Sequence, residues 1–379
     1  MSFKCMTTPS ANTATIAGRI NIRTTTAPNV IFTVADGATA TDLLVGAAIT
    51  QWSAGAGFTK NGTGTMDLTG NNTSPCHTFA RHDKFLNRCM IPPMRFGLNS
   101  FLVTSSFSNS DIPWIETFKS WGADFVELAV LEPAGLDVPR LERALSNAGM
   151  VNNPVCGMFP PQHDLRGNAA QQESCIEYTK QLIELAAALG SKTIAGPFYS
   201  SVGRCNMHDE GERQRQFDLV AGHLRTLTGI AEQAGVTIAI EPLNRFETDF
   251  MNTLAQARRM IEAVGSPALK IHADTFHMHI EESHSPAAVR EAGTLVGHVH
   301  ASANHRGVPG RDQVDWVGVF EALRDINYSG DMAIETFPVD NTTIARAASI
   351  WIQRYKTPEE VSRAGLEFLR TTWNSIQLS

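Results

Sequence analysis

The sequence predicts an α/β chain built as a (β/α)8 barrel, and three observations carry that expectation. From Met94 onward, eight short apolar runs alternate with amphipathic helical stretches, the signature of βα units around a parallel sheet. The span of about 285 residues suits eight such units. Four consecutive runs close on a polar residue that lies in the phase opposite to their aliphatic residues, as strands do when they present functional groups at one barrel mouth. An open doubly wound sheet is the alternative. Its first strand would ordinarily lead into a glycine-rich phosphate loop, and "RFGLNSF" does not.

The runs, in order, are "RFGLNSF" (95–101), "DFVELAV" (124–130), "NPVCGMF" (153–159), "KTIAGPF" (192–198), "VTIAIEP" (236–242), "LKIHADTF" (269–276), "LVGHVHA" (295–301) and "DMAIETF" (331–337). Between them lie stretches such as "YTKQLIELAAALG" (178–190), "FDLVAGHLRTLTGIAEQAG" (217–235) and "WVGVFEALRDINYSG" (316–330), several ending in Gly, a common helix stop. The last four runs share one alternation. Ile238 and Ile240 oppose Thr237, Ala239 and Glu241; Ile271 and Ala273 oppose Lys270, His272 and Asp274; Val299 opposes His298 and His300; Met332 and Ile334 oppose Ala333 and Glu335. Aliphatic residues thus face the helices, and each strand ends in a ligand-type residue facing the barrel axis.

The chain changes character at the barrel's start. Residues 1–94 hold 17 Thr and no Glu, the first Glu of the protein being Glu116. They carry seven basic and four acidic side chains, +3, against 24 basic and 34 acidic in the remainder, −10. Residues 1–93 are therefore set apart as a Thr/Gly/Ala-rich N-terminal extension, a few strands or no fixed structure, outside the barrel of residues 94–379. The overall charge of −7 and the absence of any membrane-length apolar run speak against nucleic-acid and membrane partners. Six scattered cysteines without a CxxC pair fit free thiols in a reducing compartment, and the cytoplasm is the expected location.

Glu241, Asp274, His300 and Glu335 would converge at one mouth. Taken singly, each is more often an ordinary wet strand end. Four on consecutive strands, all in the inward phase, make coincidence a poor account. Three close carboxylates repel one another and need a cation to ionise together. One imidazole and three carboxylates form a hard, oxygen-rich set suited to a divalent ion, Mn2+ first, with Co2+ and Mg2+ as alternatives. His272 and His298 lie inward but one layer deeper, where packing or orientation of a ligand is the expected role. Phe101 and Cys156, near strand ends, are expected core residues. On their own, Glu247 could equally pair with Arg245, His277 could be an exposed loop histidine, and Arg306 could be a solvated loop arginine.

The strings "EPLNRFET", "DTFHMHIEE", "HVHASANHRGVPG" and "AIETF" resemble the D-tagatose 3-epimerase (D-psicose or allulose 3-epimerase) group of the xylose-isomerase-like TIM barrels, over about residues 94–379. The resemblance implies a metal-dependent ketose 3-epimerase acting on free ketohexoses through a cis-enediolate. It implies one divalent ion per subunit on Glu241, Asp274, His300 and Glu335. It makes Glu241 and Glu335 the acid/base pair, Glu247, His277 and Arg306 contacts to substrate oxygens, and the protein a homodimer or homotetramer. The string departs from the group's "H-x-G-E-x-N-R" pattern at Ser302 and Ala303, which bears on substrate preference rather than on metal binding. A related sugar or hydroxypyruvate isomerase is the alternative, followed by an apurinic-site endonuclease and a non-catalytic sugar-binding barrel. The acidic barrel region speaks against a DNA-facing surface.

Overall fold

The computed structural model describes residues 94–159 and 163–378 and, within residues 1–93, eight strand segments. The chain divides into two compact units, Met1–Pro93 and Met94–Ser379. In the first unit the described strands pair in parallel as three ladders. Phe3–Met6, Val30–Thr33 and Phe58–Asn61 form one, Ala14–Ile16, Leu43–Val45 and Met66–Leu68 another, and Arg19–Ile22 with Ala48–Gln51 the third. Phe3 pairs with Val30 and Val30 with Phe58, while Ala14 pairs with Leu43 and Arg19 with Ala48. Parallel pairing of strands one coil apart, here 23 to 29 residues on, is how successive coils of a solenoid stack.

The second unit is a closed barrel of eight parallel strands, and the eight apolar runs of the sequence supply them in order. They are β1 (Arg95–Asn99), β2 (Val126–Ala129), β3 (Val155–Cys156), β4 (Thr193–Gly196), β5 (Thr237–Ile240), β6 (Leu269–Asp274), β7 (Val296–Ala301) and β8 (Asp331–Ile334). Each pairs with its sequence neighbour, and β8 closes on β1 through Met332–Phe96 and Ile334–Leu98. Among the outer helices are α1 (Trp114–Ser120), α2 (Val138–Asn147), α3 (Ala169–Ala188), α4 (Glu210–Ala234) and α5 (Leu254–Val264). Then come α6 (Thr275–Glu281), α7 (Ser285–Ala292), α8 (Trp316–Asp325), α9 (Thr342–Ala347) and α10 (Pro358–Leu378). No helix among the described residues is long and apolar enough to cross a membrane.

Local chemistry fixes the helix starts. Asn168 and Thr253 close capping boxes with Gln171 and Gln256, and Asp209 caps α4 by accepting from the Glu212 amide, each satisfying backbone donors that a helix N-terminus leaves open. The alternation read from the sequence is present: Ile238, Ile240, Ile271, Val299 and Ile334 are fully or almost fully buried, the outward residues of a sheet covered by helices. Two irregularities shape the mouth. A register shift between Ile271 and His272 brings Asp274 opposite His300 on β7, the kind of re-aiming that bulges provide. Gly196 ends β4 at φ 145°, where an added Cβ would sit 1.9 Å from the Gly157 carbonyl oxygen. Only glycine allows β3 and β4 that approach.

Candidate active site and cation centre

Glu241 and Glu335 directly follow β5 and β8, Asp274 is the last residue of β6, and His300 lies one residue before the end of β7. One ligand atom from each of the four lies within 4.8 Å of the others, and all four side chains are buried. His300 Nδ1 stands 3.5 Å from Glu335 Oε1 and 3.9 Å from Asp274 Oδ2, without a hydrogen-bond partner. Asp274 also caps α6: its Oδ1 accepts from the Phe276 amide at 2.6 Å. That bond leaves Oδ2 for the site and explains why the strand passes into a helix without a loop.

The charge balance favours a cation. Burial, then repulsion from Glu335, raises the Glu241 carboxyl well above its ordinary range, and burial also raises Asp274. Burial opposes ionisation of Glu335 too, but His300 and Arg306 outweigh it and hold that group down at about 2. Among the described residues, Arg306 and His300 carry the positive charge beside these acids, whereas the His272 and His277 rings next to Glu241 are pushed towards the neutral form by burial. The bare Nδ1, the converging carboxylates and their excess of negative charge fit a divalent ion bound through oxygen and one imidazole nitrogen.

Arg306 is buried over two aromatic rings, with its guanidinium carbon 4.0 Å from the Phe276 ring centre and 5.0 Å from that of Phe337. Its Nη1 donates to Asp274 Oδ2 at 3.0 Å, to Ser302 Oγ at 2.6 Å and to Glu335 Oε2 at 2.7 Å. The residue holds a left-handed backbone, φ 56°, and the Thr336 hydroxyl donates to its carbonyl at 2.5 Å. It is a built element of the site, and the solvated-loop reading of Arg306 does not survive. The loop reading of His277 is corrected as well, because His277 lies on α6 and is buried. The Asn244 backbone amide donates to its Nδ1 at 2.9 Å. A backbone N–H can only donate, so Nδ1 is the acceptor, and in the neutral ring Nε2 carries the proton 3.6 Å from Glu241 Oε1. Burial and the neighbouring Arg306 keep that ring neutral by lowering its pKa. Glu247 accepts from Asn244 Nδ2 at 2.8 Å, whereas Arg245 pairs with Glu281.

Glu241, Glu247, His277, Arg306 and Glu335 line one cleft, a concave setting of the kind small-molecule sites use. The rest of its lining is largely apolar, with Phe101, Met158, Val202, Leu243, Phe337 and Ile344. Cys156 also lines the cleft, and burial pushes its thiol up, so it is an inert part of the wall. Two contributors were not singled out from the sequence. Glu127 on β2 is fully buried against His298 and His300, and Asn99 at the end of β1 donates to it. The available signal was a single charge inside the apolar run "FVELAV". Ser302, noted only as a departure from a motif, donates to the Glu335 carbonyl at 3.0 Å and contacts Asp274 Oδ2 at 3.3 Å. Ser302→Gly is expected to loosen Arg306, raising KM roughly threefold to tenfold with kcat within about twofold and a stability loss of about 1 kcal/mol. Steady-state kinetics with urea unfolding checks this.

The model of the xylose isomerase-like TIM barrel family matches residues 115–372. A probable ketose 3-epimerase of Synechocystis sp. is 30% identical over 293 residues, 75% of this chain and 98% of that protein. A 3-dehydro-D-guloside 4-epimerase of Escherichia coli is 38% identical over 209 residues, 52% of this chain and 77% of that protein. A solved L-ribulose 3-epimerase superposes with a TM-score of 0.71 at 28% identity, covering 75% of this chain and 96% of that one. The chain therefore belongs to the xylose isomerase-like TIM barrel family.

Proposed function

We propose that this enzyme, an isomerase of the epimerase class, inverts C3 of free ketohexoses of the D-tagatose, D-fructose and D-psicose type, with one divalent ion, Mn2+ first, on Glu241, Asp274, His300 and Glu335. The observation that carries this reading is the placement of two acids, Glu241 and Glu335, just past the ends of non-adjacent strands, in one cluster of side chains able to hold a cation. A divalent ion there would supply Lewis-acid polarisation of the ketone and acidify the neighbouring C–H bond. Of the two glutamates, one takes the C3 proton and the other returns a proton to the opposite face of the flat enediolate. His277, with its proton on Nε2, and the Arg306 guanidinium donate to substrate oxygens. Glu247 accepts from a sugar hydroxyl, and its own carboxyl is raised by burial.

NMR of D-fructose or D-tagatose incubated in D2O tests the reaction. Deuterium at C3 with inversion supports it, and exchange at C1 alone overturns it in favour of aldose–ketose isomerisation. The similarity to a 4-epimerase favours one second reading, inversion of C4 next to a 3-keto group. It uses the same two acids, and label at C4 of a 3-ketosugar would identify it.

Protons compete with the ion for Glu241 and Asp274. A carboxylate raised in the folded state favours folding while protonated and loses that contribution as pH rises from its ordinary value, 4.5 for Glu241, through the raised one. The ion-free protein is accordingly expected to lose stability from this source with rising pH, while the ion binds more tightly. The increase in Tm produced by Mn2+ should grow from about pH 5 to about pH 8. Thermal scans with and without the ion measure it.

A further inference from the structure

We propose that Glu127 is a positioning residue for the cation centre: it holds His300 as the tautomer protonated on Nε2, so that the Nδ1 lone pair is presented to the ion. The inference rests on the cation reading of Glu241, Asp274, His300 and Glu335. Glu127 is fully buried on β2, and among the described residues its ion-pair partners are His298 and His300, with no Lys or Arg beside it. A buried carboxylate is costly unless it is paired and hydrogen-bonded, and the partners of this one are imidazoles, so its presence asks for a role.

The hydrogen bonds supply one, and each follows from the one before. The Phe101 backbone amide donates to Asn99 Oδ1 at 2.8 Å. Because that amide can only donate, the orientation of the Asn99 side chain is fixed and its Nδ2 faces Glu127. Asn99 Nδ2 donates to Glu127 Oε2 at 2.9 Å, and the same oxygen lies 2.6 Å from His300 Nε2. Glu127 Oε1 lies 2.8 Å from His298 Nε2. An ionised carboxylate only accepts, so His300 Nε2 carries a proton whether or not the ring is charged, and the nitrogen left to give up a proton and offer its lone pair to an ion is Nδ1. That atom is the buried, partnerless one facing Asp274 and Glu335. The His272 ring, centred 4.0 Å from that of His300 and nearly perpendicular to it, prevents the ring from swinging away. Three strands, β1, β2 and β7, thus orient one ligand atom, the arrangement by which outer carboxylates fix histidine ligands in metal sites.

Two measurements test this. Isothermal titration of the full chain with Mn2+ should give Glu127→Gln a Kd about 10- to 100-fold above wild type, because an amide can offer His300 Nε2 a donor as readily as an acceptor. A Kd within about threefold of wild type overturns the inference while leaving the cation reading in place, and wild type that binds no Mn2+ overturns both. Independently of any variant, 15N NMR of ring-labelled wild-type protein loaded with diamagnetic Mg2+ should show the His300 proton on Nε2. A proton on Nδ1 overturns the inference even where Glu127→Gln fails to fold.

Discussion

Glu335→Gln and Glu241→Gln are each expected to lower kcat/KM for inversion by about 10^4-fold or more, roughly 5.5 kcal/mol of transition-state stabilisation. Each substitution removes an acid/base group and a negatively charged candidate ligand together. The informative readout is what remains. A site with two acids on opposite faces of the intermediate, reduced to one, can still remove a proton from one epimer and return it to the same face. Slow solvent exchange at C3 of one epimer, with no inversion and no exchange in the other, is therefore expected from each variant, with the exchanging epimer swapped between them. Deuterium NMR on purified epimers reads both. Wild-type turnover in either variant would remove that residue from the mechanism, and loss of exchange in both epimers would assign the whole effect to the cation centre.

How far the sequence revealed this site depended on the range of the interactions involved. The strands were legible because period-2 alternation is local: Ile238 and Ile240 against Glu241 can be read within five residues. The same alternation picked out Asp274, His300 and Glu335, which the fold brings to one place. The helix that carries His277 was misread as a loop although its start was written in "DTF", where Asp274 caps α6. A strand end and a helix cap occupy the same residue there, and the strand pattern masked the cap. Glu127 left one faint signal, a single acid in "FVELAV", whose meaning comes only through His298 and His300, more than 170 positions away. The contact of Arg306 with Phe276 and Phe337 likewise joins elements following β6, β7 and β8. A single sequence offers no local pattern for such a contact.

Arg306→Ala is expected to destabilise the ion-free protein by about 3–5 kcal/mol, the usual result of removing one partner of a buried charge cluster, and to lower kcat/KM by roughly 10^2-fold or more. The guanidinium touches Asp274, Glu335 and Ser302, and it packs over the Phe276 and Phe337 rings, so charge and packing both contribute. They respond differently to conditions. The part due to charge should shrink when Mn2+ takes over neutralisation of the carboxylates, and again in acid, where those carboxylates protonate. The part due to packing over the two rings should persist in both. Arg306→Lys keeps the charge but loses the planar fork and the stacked surface, and should fall between wild type and Arg306→Ala in stability without recovering the fork's contacts to substrate. A Tm deficit in Arg306→Ala that is equal with and without Mn2+ would show that the arginine is held there for packing alone. A deficit that Mn2+ largely removes would show that arginine and ion neutralise the same acids, and that Arg306 keeps the empty site folded until the ion arrives.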